Sequence, residues 1–318
     1  MTEPLFLVAD VGGTNTRVAL AHGRTVLPES IRRYANRDFA NLAPVLRQYR
    51  SDQGCATPQG ACVAMAGPVA DGRAELTNLD WSIDTHRLLE ATGAKDAAIL
   101  NDLQAQGHAI GHLNPGELET IIKGPVIPDA ARLVIGVGTG FNAAPVHDTP
   151  SGRFVPPCEA GHANLPIRTE DELRLCTFVS TAHGFPAVED VLSGRGLEQV
   201  YRWLSSEAGA TEEFRAADIM ARLGKDPRAD AAVAQFIRIM GTVAGNLALI
   251  HLPFGGVFLV GGVARAMAPH LAAKGFADAF RDKGRFAGFM HNFPVTLVTD
   301  DFAALTGCAA HLSERAHR

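Results

Sequence analysis

The chain has 318 residues, 47% of them apolar and 20% charged, a balance that excludes a disordered chain and gives room for two domains. A formal net charge of −5 excludes the basic stripe of a nucleic-acid binder. Five irregularly spaced cysteines (55, 62, 158, 176 and 308) with no C-x-x-C exclude a disulfide scaffold and predict a reduced, cytoplasmic protein.

The N-terminus, MTEPLFLVADVGG, has no basic start and its apolar run stops at Asp10, so no leader peptide is expected. Residues 5–9, 17–22 and 26–34 are predicted as three strands, the first two joined by a glycine-rich turn. Apolar residues at 39, 42, 45, 46 and 49 then have helical spacing. Residues 61–66 read as a buried strand, and Asp84 as the N-cap of a helix ending near Gly93. A strand over 97–100 runs into Asn101-Asp102 and a helix to residue 113.

The order then restarts. Residues 132–137 and 142–146 are predicted strands around a second glycine-rich turn. Thr169 and Glu172 form a capping box for a helix to about residue 182. A long helix over 228–252, its apolar stripe read as core, precedes a strand at 256–260 and Gly261-Gly262. A late strand covers 295–299, and Asp301 is expected to cap a terminal helix over 303–312. No run approaches the ~20 apolar residues of a membrane span. Arg281, Lys283 and Arg285, interrupted by Asp278 and Asp282, read as a solvated face.

Residues 8–20 (VADVGGTNTRVAL) and 134–146 (VIGVGTGFNAAPV) share a strand–turn–strand pattern. This predicts two related lobes of α/β class, each opening on a hairpin whose turn can approach a ligand by its backbone.

The chemistry concentrates at a few motifs. In Asp10-Val-Gly12-Gly13-Thr14-Asn15-Thr16-Arg17, adjacent glycines let several N–H groups face one anion, and Asp10 offers a carboxylate for magnesium through water. A plain hairpin turn is the other reading of these residues. No G-x-x-x-x-G-K-[ST] exists, because Gly224-Lys225 is followed by Asp226. Gly136-Val137-Gly138-Thr139-Gly140 leads into a strand, which excludes a dinucleotide fingerprint. Asn101-Asp102 sits where a strand gives way to a helix, so Asp102 reads as a general base or as the cap of that helix. Glu159 and His162, spaced across Gly161, suit adjacent sugar hydroxyls, or a surface turn; one His and one Cys are too few for zinc. Glu189 reads as a ligand or as a helix-start carboxylate. His108 and His112 are expected as two exposed helix histidines, and Trp81 and Trp203 as packing residues.

Taken together the chain resembles the bacterial glucokinase family, in the branch without a zinc cluster. The resemblance rests on DVGGTNTR (10–17), TNLDWSI (77–83), LNDLQA (100–105), GVGTGF (136–141), EAGHANL (159–165), VEDVLSGRGL (188–197), GNLAL (245–249), GGVFLVGGVA (255–264), KGFADAFRDKGRF (274–286) and LTGCAAHL (305–312). It implies an actin-like two-lobe ATPase fold (ribonuclease H-like) with an inter-lobe cleft, divided as 1–106 plus 301–318 and 107–300. It implies ATP-dependent phosphorylation of glucose at the 6-hydroxyl, with magnesium, no zinc and a homodimeric assembly. Asn101, Asp102, Glu159, His162 and Glu189 match the family's sugar positions, with Asp102 as base. Asp10, Gly12, Gly13, Thr14, Asn15, Arg17, Gly138, Thr139 and Gly140 match its phosphate positions, and Gly261 and Gly262 lie toward the adenosine. The sequence departs from the pattern at Leu79-Asp80, at Phe141-Asn142 and at Pro156-Pro157-Cys158, which keeps open a kinase for another hexose or an amino sugar.

Overall fold

Each of two α/β units in the structure, a computed structural model that describes residues 3–317 apart from 55, 68, 77–79 and 182–183, contains a β-hairpin around a glycine turn; the hairpin opens the first unit, but in the second a strand at Leu118–Ile122 comes before it. Cys55 and the first three residues of the 77–83 motif lie outside the described residues. One unit comprises Met1–Glu117, Asp148–Pro157 and Asp300–Arg318, and the other Leu118–His147 and Cys158–Thr299. The first unit therefore takes in 107–117 and 148–157 as well as the expected 1–106 and 301–318.

The first unit runs β1 (Leu5–Val11), β2 (Asn15–His22), β3 (Thr25–Val26), β4 (Arg32–Ala35), α1 (Leu42–Gln53), β5 (Gly60–Met65), β6 (Val69–Ala70), β7 (Arg73–Glu75), β8 (Ser82–Asp84), α2 (Thr85–Thr92), β9 (Asp96–Asn101) and α3 (Asp102–Ala109). Then come β10 (Leu118–Ile122), β11 (Arg132–Val137), β12 (Phe141–Thr149) and β13 (Gly152–Phe154). The helical stretch follows as α4 (Glu170–Ser180), α5 (Gly194–Glu207), α6 (Ala216–Ala221) and α7 (Pro227–His251). The chain ends with β14 (Val257–Val260), α8 (Gly262–Leu271), α9 (Phe276–Arg281), β15 (Val295–Val298) and α10 (Ala303–Ala316).

In the first unit the sheet order is β3-β2-β1-β5-β9, with β4 beside β2. Side chains alternate across a strand, and β1 obeys this. Leu7 and Ala9 join Leu42, Leu46, Tyr49 and Leu88 of α1 and α2 in one core layer, while Phe6 and Val8 join Leu305, Cys308 and Leu312 of α10 in another. In the second unit the order is β10-β15-β14-β11-β12. Its core is built on α7, where Phe236, Ile237 and Met240 meet Val200 and Tyr201 of α5. By length and composition α7 would also suit a membrane span, which the sequence reading did not anticipate; most of its apolar window is buried in the unit.

Several local expectations are corrected. The strand expected over 26–34 is broken by a 3₁₀ turn at Pro28–Ser30. Pro28 has no N–H to donate to a ladder, and the Leu20 N–H donates to the Ser30 hydroxyl at 2.9 Å instead of to a strand carbonyl. The first helix starts at Leu42, because Asn41 caps it through the Ala43 N–H. The helix expected to reach 113 stops at Ala109. The terminal helix is not capped by Asp301: its N-cap is Phe302, without a side-chain bond, and Asp300 Oδ1 accepts the Phe302 N–H at 2.7 Å. His108 is not exposed but 4% accessible, and His112 lies beyond the helix. The Thr169–Glu172 capping box and the Asp84 cap form as expected, and Trp81 and Trp203 are buried. The amphipathic α5 was missed, although Leu197, Val200, Tyr201 and Leu204 have helical spacing.

Candidate active site

In the first unit two site segments lie at one edge of one sheet. Val11 of β1 is level with Met65 of β5, and Met65 with Asn101 of β9. The glycine turn after β1 and the Asn101-Asp102 pair after β9 therefore leave the sheet at the same strand ends, two spacings or ~10 Å apart. Open α/β sheets bind ligands at such carboxyl ends.

The turn is held by a residue the sequence reading passed over. Asn36 is 2% exposed. Its Nδ2 donates to Gly12 O at 2.7 Å, its Oδ1 accepts from Thr16 Oγ1 at 2.8 Å, and its N–H donates to Thr14 O at 2.9 Å. Gly13 and Thr14 are left exposed at the tip, and Asn15 is half-buried. Arg17 Nη1 lies 3.2 Å from Asp10 Oδ2 and its guanidinium stands over the Phe302 ring. Burial pushes the Asp10 carboxyl above the usual carboxylate range, and the Arg17 charge works against that shift.

At the start of α3 the two readings of Asn101-Asp102 are resolved in part. Asn101 is the N-cap, with Gln104 completing a capping box. Its Nδ2 also donates to Gly67 O at 2.9 Å. Asp102 is the first helical residue, half-buried, with Oδ1 accepting the Leu103 N–H at 2.8 Å.

In the second unit the turn after β11 and the Gly261-Gly262 step after β14 are likewise level, because Gly136 pairs with Val260. The turn closes through a Gly138 N–H to Gly140 O bond, and Gly138 O accepts the Gly194 N–H that begins α5, both at 2.9 Å. Thr139 is exposed at the tip. Half-buried Glu189 reaches this turn, with Oε2 accepting the Phe141 N–H at 2.9 Å.

Asn142, in the sequence only a departure from the family pattern, anchors the 159–165 motif to the same turn. Its Nδ2 donates to Cys158 O and its Oδ1 accepts the Ala160 N–H at 2.9 Å. Glu159 and His162 stand on this loop, exposed and 4.0 Å apart. Gly161 lies flat against the Phe141 carbonyl, so close that a Cβ would sit 2.0 Å from that oxygen. The structure thus brings Glu159, His162 and Glu189 together around one strand start. Nothing in the local sequence marks Asn36 or Asn142, since both act on residues distant in the chain. Among the described residues no three His, Cys, Asp or Glu side chains gather to hold a metal ion.

Two sheets, each presenting the glycine turn of an antiparallel hairpin at its strand ends, define the class: a two-lobe actin-like ATPase fold of the sugar-kinase type. Comparison with known proteins agrees. The sequence profile of the glucokinase family matches residues 7–315. A glucokinase of Sinorhizobium medicae is 34% identical over 96% of this chain and 91% of its own length. One of Pectobacterium atrosepticum is 33% identical over 97% of both. The crystal structure of a glucokinase from an Antarctic psychrotroph superimposes with a TM-score of 0.86 at 32% identity, covering 97% of this chain and 98% of that one. The chain belongs to the glucokinase family, and its activity is the ATP-dependent phosphorylation of glucose.

Proposed function

We propose that Asp102 is the general base of this reaction, accepting the proton of the sugar's 6-hydroxyl as that oxygen attacks the γ-phosphorus. The observation that carries the reading is the sheet register, which supports a reacting carboxylate at the same edge as the first glycine turn. Asn101 takes the N-cap position, which sets Asp102 one residue inside the helix, at its first turn. Asn101, Glu159, His162 and Glu189 hold the remaining hydroxyls, and a carboxylate that accepts two of them fixes the ring as well as its affinity. Gly12 to Asn15 with Arg17, and Gly138 to Gly140, lie toward the phosphates, with the Gly12 and Gly138 N–H groups closing the turns and the exposed tips at Gly13-Thr14 and Thr139 turned to the anion, and Gly261-Gly262 lies toward the adenosine.

Magnesium suits the donor set, since it keeps most of its water and needs one or two carboxylates besides the phosphates; Asp10 would hold it through water. When bound it supplies charge neutralisation on the β- and γ-oxygens. A cytoplasmic homodimer completes the reading.

Asp102→Asn tests it. The amide preserves shape, so calorimetric glucose affinity should stay near that of the parent while turnover falls by ~10²–10⁴-fold. Parent-like turnover would remove Asp102 from the base role. Running the parent on glucose, mannose, fructose and N-acetylglucosamine side by side checks the sugar: a preference for one of the last three would overturn glucose as the substrate.

A further inference from the structure

Helix α3 begins at Asp102, and the structure shows an unusual arrangement at its other end. The last turn of any α-helix leaves carbonyls without intrahelical donors. In α3 they meet the guanidinium of Arg153, which arrives from β13. Nη1 of Arg153 donates to Gly107 O at 3.4 Å, to His108 O at 3.0 Å and to Ile110 O at short range. The same guanidinium grips Asp148 through two bonds, Nε to Oδ1 at 2.7 Å and Nη2 to Oδ2 at 3.3 Å. Its side chain is only 7% exposed, and the Arg153 N–H donates to Glu314 of α10 at 3.0 Å.

Two residues further on, Val155 O accepts from Gln104 Nε2 at 2.8 Å. Gln104 is also the residue whose Oε1 closes the capping box on the Asn101 N–H. The segment from Arg153 to Val155 therefore holds α3 at its first turn and its last. Helix α10 adds a third restraint. Its Gly307 lies against the Ala105 carbonyl with no room for a Cβ, and His311 Nδ1 stands 3.2 Å from His108 Nε2.

We infer that Arg153 is a positioning residue for phosphoryl transfer: by closing the C-terminal carbonyls of α3 from a buried, bidentate anchor, it fixes the axial position of the helix and so of Asp102. A buried guanidinium spends its planar set of donors on one helix end and one carboxylate, a geometry that restrains sliding and rotation together. Phosphoryl transfer depends on that restraint, because displacement of a reacting group by ~1 Å can cost ~10²-fold in rate. The inference rests on the reading of Asp102 as base.

The test is Arg153→Ala in the full chain, measured for kcat, for glucose affinity by calorimetry and for Tm, with and without added guanidinium at sub-denaturing concentration. Loss of positioning predicts a kcat lower by roughly 10–100-fold with a much smaller change in glucose Kd, because Asn101 is one of several sugar contacts while Asp102 is the sole base. It also predicts partial recovery on adding guanidinium, which should have no such effect on the parent. The cavity of about 350 Å³ lined by Arg153, His311, Glu314 and Arg315 gives the ion a way in. A lower Tm with parent-like kcat per folded molecule would overturn the inference and leave Arg153 a structural residue. Should Arg153→Ala fail to fold, Asp148→Asn, which loosens the anchor and leaves the carbonyl bonds, should show a smaller kcat loss with little change in Kd; parent-like kcat in that variant overturns the inference equally. Asp102→Asn assayed in parallel separates the two readings. If it retains parent turnover, the base assignment fails and takes this inference with it. If it is inactive while Arg153→Ala is parent-like, the positioning role alone falls.

Discussion

The two glycine hairpins share a topology and differ in how they are held. In each, an antiparallel pair (β1/β2, β11/β12) is followed outward from its first strand by parallel strands, β5 and β9 in one sheet and β14 and β15 in the other. The similarity between 8–20 and 134–146, stretches 126 positions apart, therefore corresponds to a repeated arrangement. The first turn is fastened by a buried neutral amide, Asn36, and the charges beside it, Asp10 and Arg17, pair with each other. The second is fastened by a carboxylate, Glu189, on the Phe141 N–H. One hairpin can thus be built with its fastener away from the ligands, while in the other the fastener is itself a proposed sugar ligand. The difference teaches that damage to the second hairpin should register in sugar affinity, and damage to the first in nucleotide affinity.

The most damaging way to probe this is Gly161→Ala. The new Cβ would meet the Phe141 carbonyl, a backbone atom that cannot swing aside. Displacing the loop that carries Glu159 and His162 should cost about 3 kcal/mol, or roughly 10²-fold in glucose affinity; calorimetry giving the parent's Kd would contradict the shared anchoring. Glu189→Gln comes next. The amide keeps an acceptor for the Phe141 N–H but loses the charge, so glucose should bind about tenfold more weakly, in line with ~1.5 kcal/mol for a charged hydrogen bond. Equal loss of ATP and glucose affinity would show that Glu189 serves the turn alone.

Asn36→Ala probes the other hairpin. It leaves Gly12 O and Thr16 Oγ1 without their partner, a loss of ~1–2 kcal/mol in stability. It should raise the KM for ATP and spare glucose binding, and the opposite pattern would dissolve the distinction between the hairpins. The effect furthest from the ligands concerns pH and the first unit. Burial, then Arg153 and His112, hold His108 down at about 4. Burial, then His108 and Arg315, hold His311 at about 3. Both rings are neutral in the folded protein and take protons near 6.5 when unfolded. The unfolded state therefore binds more protons below that pH, and stability falls as pH drops from 6.5 toward 4. His311→Phe should flatten this slope by on the order of 1–3 kcal/mol, measured as Tm against pH. An unchanged slope would place the acid sensitivity elsewhere. Asp10 has the opposite sign: its raised carboxyl favours the folded state at low pH and loses that contribution as pH rises through the folded value.

The sequence by itself determined the elements whose causes are local. Short continuous apolar runs specify β1, β5, β11 and β14, and Asp84 and Thr169 announce helix starts because a cap acts on N–H groups two or three residues away. The glycine turns and the order of the ten motifs were legible for the same reason, and they sufficed for the family. Where another residue, near or distant, took the group first, the local pattern misled. Asp301 was expected to cap α10, but its neighbour Asp300 takes the available N–H. The helix expected to reach 113 ends at Ala109, where Arg153, more than forty residues on, satisfies its carbonyls. His108 and His112 read as exposed because helical spacing says nothing of α10, which arrives from the far end of the chain to bury the first of them. Only the tertiary structure decided which amides fasten the turns and which guanidinium closes the end of α3. Hydrogen bonds across tens or hundreds of residues follow from how sheets and helices pack, and no spacing rule within a segment encodes them.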